Sequence, residues 1–269
     1  MKIKRIRPLL IAIGIPITFT TLLFFLYSIS EGIIPFPYSK YWYGIIGSVC
    51  AFAAIFIIMR LDKKPLRGFN LKFNKSVMPN FIKGLAVGVV IAVVMIGSQI
   101  WFSNLTMTFN QQNVSSFMIM VLCILPLAFM EELTFKSYAF FKLEKEYGIW
   151  NAQIVTSILF ALYHVVGGWS ITSAFLGPGV WALAFGLMAI ISGGISMPTG
   201  FHSGLNLILA AVGDKEWIPA LWTVDFANPP TEEMIQSNSN FGLALQLISL
   251  LVLILSTWIY SKRIRHRIK

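Results

Sequence analysis

Apolar residues fill this chain in blocks about as long as a bilayer is thick, each closed by a short polar or charged interval. A helix crossing hydrocarbon needs about 20 mostly apolar residues. By that ruler eight stretches qualify: residues 8–29, 41–59, 81–102, 114–135, 150–166, 179–192, 199–212 and 241–260. The sixth and seventh are short, with Gly193, Gly194 and Pro198 between them. They read either as two short spans on a tight turn or as one re-entrant pair. The pattern predicts an all-α polytopic membrane protein with about eight transmembrane helices.

Composition agrees. The chain is 57% hydrophobic and 12% charged, far from the quarter or so of charged residues in a soluble domain. Its net charge of +10 comes from basic clusters beside apolar blocks: Lys2 to Arg7, Arg60 to Lys83, and Lys262 to Lys269. That placement marks membrane topology, with a secondary attraction to anionic lipid, and argues against nucleic acid. With the N-terminus inside, 19 of the 21 basic residues fall on inside segments, leaving only Lys40 and Lys215 outside. Both termini are therefore expected in the cytoplasm, as in a multi-pass protein of a bacterial plasma membrane, with the acidic loop 214–240 external. The start, basic residues followed by an apolar run and Ser28-Ile29-Ser30, resembles a signal peptide. The run exceeds the usual 7–15 residues, which favours a retained helix.

Other features are weaker. Phe69, Leu71 and Phe73 alternate with polar residues in the basic loop 61–80, which suits an interfacial segment or a solvated connector. Gly84-x-x-x-Gly88 and Gly200-x-x-x-Gly204 permit close helix approach. Cys50 and Cys123 lie in apolar runs and read as inert buried thiols. No internal repeat is visible, which counts against a transporter of duplicated halves.

Four polar intrusions carry the chemistry. Glu131 and Glu132 sit together in the fourth apolar block, where an uncompensated carboxylate is costly. Lys136 is one helical turn beyond Glu132 and can offset its charge, whereas Glu131 points about 100° away and lacks a local cation. A carboxylate so placed suits a general base working near neutral pH. The competing reading has both glutamates at the cytoplasmic edge, reaching into water. His164 ends the fifth block, with Phe160 one turn before it. His202 and Asn206 share a face of the seventh, and imidazole and carboxamide are donors fit for an oxyanion hole.

These motifs together resemble the CPBP family of intramembrane proteases, also called Abi or type II CAAX prenyl endopeptidases. Its pattern of Glu-Glu-x-x-x-Arg, Phe-x-x-x-His and His-x-x-x-Asn is matched by Glu131-Glu132 with Lys136, Phe160 with His164, and His202 with Asn206. The resemblance covers about residues 117 to 212. It departs at Lys136, since lysine offers a point charge where the family's arginine offers a fork. The resemblance implies an intramembrane catalytic cavity in which Glu131, Glu132, His164, His202 and Asn206 form the catalytic set. Glu131 with His164 would activate water, and His202 with Asn206 would hold the oxyanion. Hydrolysis without a cofactor is the first expectation. The alternative is zinc or another divalent metal on Glu131, His164 and His202, a ligand set found in catalytic zinc sites.

On this reading residues 1–113 hold the first membrane helices, 114–213 the catalytic core, and 214–269 the external loop and last helix. The expected function is endopeptidase action near the cytoplasmic membrane face, in a cavity opening toward the cytoplasm. The substrate would be a peptide or membrane protein, of CAAX type or a processed bacteriocin. A non-catalytic membrane partner or bacteriocin-immunity protein with a degenerate site is the alternative, and a proton-coupled transporter a third. The sequence is silent on oligomeric state.

Overall fold

In a computed structural model, residues 2–30, 33–35, 38–65 and 74–268 are described. Most of the alternating segment around Phe69 falls outside them. Eleven helices carry the described chain: α1 (Lys2–Ser30), α2 (Tyr38–Leu61), α3 (Val77–Phe102), α4 (Val114–Met120), α5 (Ile124–Lys136), α6 (Tyr138–Tyr147), α7 (Ile149–Val166), α8 (Ile171–Ala174), α9 (Val180–Ser192), α10 (Ser196–Ala211) and α11 (Glu232–Ile268). The protein is a polytopic all-α membrane protein. Seven candidate spans are long and apolar enough to cross a bilayer.

The differences from the sequence expectation lie at the breaks. The fourth span is one interrupted run, Gln111–Tyr147, because a 3-10 turn joins α4 to α5 and α6 continues beyond Ser137. Glu131 is therefore well inside its span and not near its end. The sixth span gains α8 and a π-type turn and becomes Ile171–Ser192. Gly193, at φ 64°, then turns the chain sharply into α10. At 16 residues, α10 is shorter than a spanning helix needs.

α10 is supported by α3. A Cβ on Gly84 would strike Met197 O, one on Gly88 Phe201 O, one on Gly200 Phe81 O, and one on Gly204 Leu85 O. The two Gly-x-x-x-Gly motifs thus face each other, and the helix backbones touch with no side chain between them. On the other side of α10, Phe201 and Leu205 pack with Phe135, Phe160 and Phe185.

One end of the bundle is fastened by charge. Asp62, just past α2, meets Arg7 Nε at 2.5 Å, accepts from Tyr138 Oη at 2.5 Å, and also pairs with Lys142. Burial works against its charge. The hydrogen bonds from Lys142 and Tyr138 and the charges of Lys142 and Arg7 outweigh this and hold the Asp62 pKa below the usual carboxylate value. Above this clamp, Ile11, Ile15 and Phe19 of α1 lie in the core with Ala51 and Ile55 of α2.

The opposite end carries a small sheet. β1 (Leu105–Phe109) and β2 (Trp222–Phe226) pair antiparallel, Leu105 opposite Phe226. Asn113 Nδ2 donates to Ala220 O at 2.8 Å, and Gln99 Nε2 donates to Asn238 Oδ1 at 3.0 Å. The start of α11 absorbs residues 232–240 of the expected loop. Glu232 and Glu233 suit its N-terminal dipole, and Thr231 Oγ1 accepts from Met234 N. Cys50 and Cys123 are free and buried.

Candidate active site

α5 brings Glu131 and Glu132 into the interior. Glu132 is fully buried and the Glu131 side chain is 14% exposed. Neither reaches an edge of the bundle, so the reading of two carboxylates in interfacial water is set aside.

His202 joins them. Its Nδ1 is hydrogen-bonded to Glu132 Oε1 at 3.0 Å, and its Nε2 lies 3.7 Å from Glu131 Oε2. The imidazole thus stands between two carboxylates contributed by adjacent residues of one helix. Phe185 of α9 stacks on the ring, with centroids 4.6 Å apart and planes 13° apart. Position and orientation are therefore fixed from three directions: by α3 through α10, by Glu132, and by Phe185.

Lys136 lies within electrostatic reach of Glu132, as expected, but gives its hydrogen bond elsewhere. Its ammonium, fully buried, hydrogen-bonds Thr156 Oγ1 at 2.8 Å and lies 5.4 Å from the Phe140 ring centroid. It joins α5 to α7, and the hydrogen bond to Glu132 comes from His202. The sequence could not show this, because a partner on another helix is invisible to i, i+4 reasoning.

His164, on the last turn of α7, lines the same cavity. Its Nδ1 is 2.9 Å from Phe160 O. A carbonyl oxygen only accepts, so the proton is on Nδ1 and Nε2 keeps a free lone pair. Phe160 lies beside both imidazoles, with centroids 4.7 Å from His164 and 6.3 Å from His202. Asn206 lines the cavity one turn along α10 from His202. Among the described residues, no three His, Cys, Asp or Glu side chains are grouped to hold a metal ion. The Nδ1 bond of His164 to Phe160 O still leaves Nε2 able to act as a ligand.

The cavity measures about 760 Å³, within the range of about 300–1,000 Å³ that encloses small ligands. Met130, Glu131, Phe160 and His202 are among its deeper lining. From there it runs to the end of the bundle that holds Lys40, Trp169, Lys215 and Trp217. It does not open at the clamped end beside Arg7, Asp62 and Lys142, where the basic residues gather. The length of the fourth span carries Glu131 to mid-bundle, where it shares this cavity with the last turns of α7. Tyr43 and Tyr163 also line the cavity within electrostatic reach of Glu131. Tyr163, beside His164, could have been suspected from the sequence; Tyr43, on α2, carries no signal.

Three helices from separate parts of the chain thus place Glu131, two histidines and an asparagine around one cavity, with Glu132 buried behind His202. Residues 113–208 match the family model of the type II CAAX prenyl endopeptidase, Rce1-like. The match takes in all five of these residues. No curated protein matches the chain. The Rce1-like region runs from α4 to near the end of α10 and leaves α1, α2, α3 and α11 outside it.

Proposed function

We propose that this Rce1-like membrane protein is an intramembrane endopeptidase in which Glu131 and His202 activate the attacking water. The observation that carries the reading is the 3.7 Å approach of His202 Nε2 to Glu131 Oε2, with His202 Nδ1 hydrogen-bonded to Glu132. If Nδ1–H donates to an ionised Glu132, Nε2 presents a lone pair to an oxygen that also accepts. The separation is long for a direct hydrogen bond and suits a water at the apex, donating one proton to each. A water so held turns its own lone pair toward the cavity, where a peptide carbonyl can meet it.

In this mechanism the water oxygen bonds to the carbonyl carbon while one of its protons passes to Glu131. The carbonyl oxygen becomes an oxyanion, held by the Asn206 amide. The C–N bond then breaks, and the proton returns to the leaving amine. Glu132 is a positioning residue, acting through the His202 tautomer. His164, with its Nε2 lone pair free, acts as a second acceptor beside the leaving group. This reverses part of the expected division, in which His164 partnered Glu131 and His202 held the oxyanion. No metal is needed in this scheme.

The reading of a non-catalytic partner or immunity protein leaned on Lys136 in place of arginine. Since Glu132 is held by His202, that substitution leaves the pair of carboxylates and imidazole in place. The deciding experiment compares membrane and secreted peptides from cells carrying the wild-type chain and the Glu131→Gln variant. A peptide whose processing stops in the variant is the expected result. Identical peptide profiles together with a retained phenotype would transfer the function to a binding role.

A further inference from the structure

Only two basic residues fall outside the inside segments, and both line the cavity. Lys40, at the start of α2, has its ammonium 5.7 Å from the Trp217 ring centroid. Lys215, just past α10, lies 6.0 Å from the Trp169 ring and 3.6 Å from the Asp214 carboxylate. The geometry joins two facts that the sequence kept apart: the face depleted of positive charge is the face with the open cavity. We infer that the cavity admits its substrate from the extracytoplasmic side, and that Lys40 and Lys215 hold an acidic side chain or terminal carboxylate of a peptide there.

The side follows from the helix ends. Arg7, Asp62, Tyr138 and Lys142 meet at one end, together with Lys63 and Lys64 after α2 and Lys145 of α6. Cytoplasmic segments are those enriched in Lys and Arg. Lys40, Gln99, Trp169 and Lys215 lie at helix ends on the opposite side and all line the cavity. A cytosolic tail would meet the clamped end, whereas the residues lining this cavity run to the opposite one.

The ligand class follows from the mouth's charge. Two ammonium groups and one carboxylate leave it positive. Lys215 is within electrostatic reach of Glu131, His164 and His202, so an anion at the mouth lies a short span of extended chain from the water-activating pair. Flanking tryptophans supply apolar walls beside each cation, an arrangement suited to a carboxylate on an apolar peptide. Both cations line the passage to Glu131, which favours a peptide over a lipid phosphate.

This inference rests on the peptidase reading for its substrate, and its test needs no turnover. In a background with Cys50 and Cys123 replaced by alanine, Glu216→Cys should react with a membrane-impermeant maleimide in intact cells. Lys64→Cys should react only after permeabilisation, and the reverse pattern overturns the inferred side. Binding is then read on the full-length Glu131→Gln protein in phosphatidylcholine vesicles, with a dansylated apolar decapeptide carrying one glutamate and its glutamine counterpart. The glutamate peptide should bind at least tenfold more tightly. Lys40→Gln with Lys215→Gln should bring the ratio to about one, while arginine at both positions should preserve it. Equal binding by the starting protein, or displacement of the glutamate peptide by added phosphatidylglycerol, overturns the role given to the lysines. If labelling and preference appear while no cleavage is ever found, the peptidase reading fails and the entrance and its ligand class stand.

Discussion

His202 touches Glu132 through one ring nitrogen at 3.0 Å and faces Glu131 with the other. The tautomer at the second nitrogen is therefore dictated by the first. Glu132→Gln tests this, because a carboxamide can turn its NH₂ toward Nδ1 and force the proton onto Nε2, which then cannot accept from water. Turnover should fall about 10³–10⁴-fold, the scale seen when an orienting carboxylate is lost from a catalytic imidazole. The melting temperature should change little. Equal losses in turnover and stability would assign Glu132 a purely structural role.

Asn206 is argued to act only once the oxyanion forms. Asn206→Ala should lower kcat by about 10²–10³-fold, as for one lost oxyanion donor, with KM nearly unchanged. A rise in KM with kcat intact would place Asn206 in ground-state binding.

The contact between α3 and α10 makes its glycines intolerant. Gly84→Ala and Gly200→Ala each drive a methyl into a facing backbone carbonyl, Met197 O and Phe81 O respectively. Both should separate the helices, shift His202 from Glu132, and lose most activity, with lower melting temperatures in detergent. Gly97→Ala on the same α3 meets nothing within 4 Å and should be neutral or stabilising by about 0.5–1 kcal/mol. Similar behaviour in all three variants would refute the close contact.

The Asp62 clamp gives a pH dependence of stability. Its folded pKa lies below the ordinary value, so its contribution is complete above about pH 4 and is lost as pH falls through the folded pKa. Asp62→Asn should cost about 3 kcal/mol at neutral pH, since it leaves Lys142 without its buried partner. The gap between wild type and variant should narrow on acidification below pH 4. A constant gap across that range would mean the carboxylate charge is not what holds the clamp.

Chelation offers a separate check on the chemistry. With the water held by Glu131 and His202 alone, dialysis against a chelator should leave cleavage unchanged. Loss of activity with recovery on adding zinc would favour the metal scheme.

Much of the bundle was legible because hydrocarbon imposes a length. α2, α3 and α7 begin and end within a few residues of their apolar blocks. Errors arose where length gave no guidance. α6, with Lys142, Glu144 and Lys145, looked too polar to continue the fourth span, and its omission placed Glu131 too near an edge. The β1–β2 pair was readable in principle, since Leu105, Met107 and Phe109, and Trp222, Val224 and Phe226, alternate with period two. The motifs named Glu131, His164, His202 and Asn206, which line one cavity, and Glu132, which hydrogen-bonds to His202 without lining it. They could not reveal which histidine faces Glu131, because that depends on the α3–α10 contact and on Phe160 O, both remote from any local pattern. The Lys136 hydrogen bond to Thr156 was hidden for the same reason.

The support that α3 gives to α10 also orders the birth of the site. α10 is too short to be secure in hydrocarbon by itself, so it can settle only beside an α3 already in the bilayer. Glu131 and Glu132 enter the membrane well before His202 leaves the ribosome, and until then their carboxylates have no imidazole between them. On the proposed chemistry, a nascent chain ending before α10 lacks the imidazole that its carboxylates need, and no peptide-cutting centre exists until α10 has joined α3.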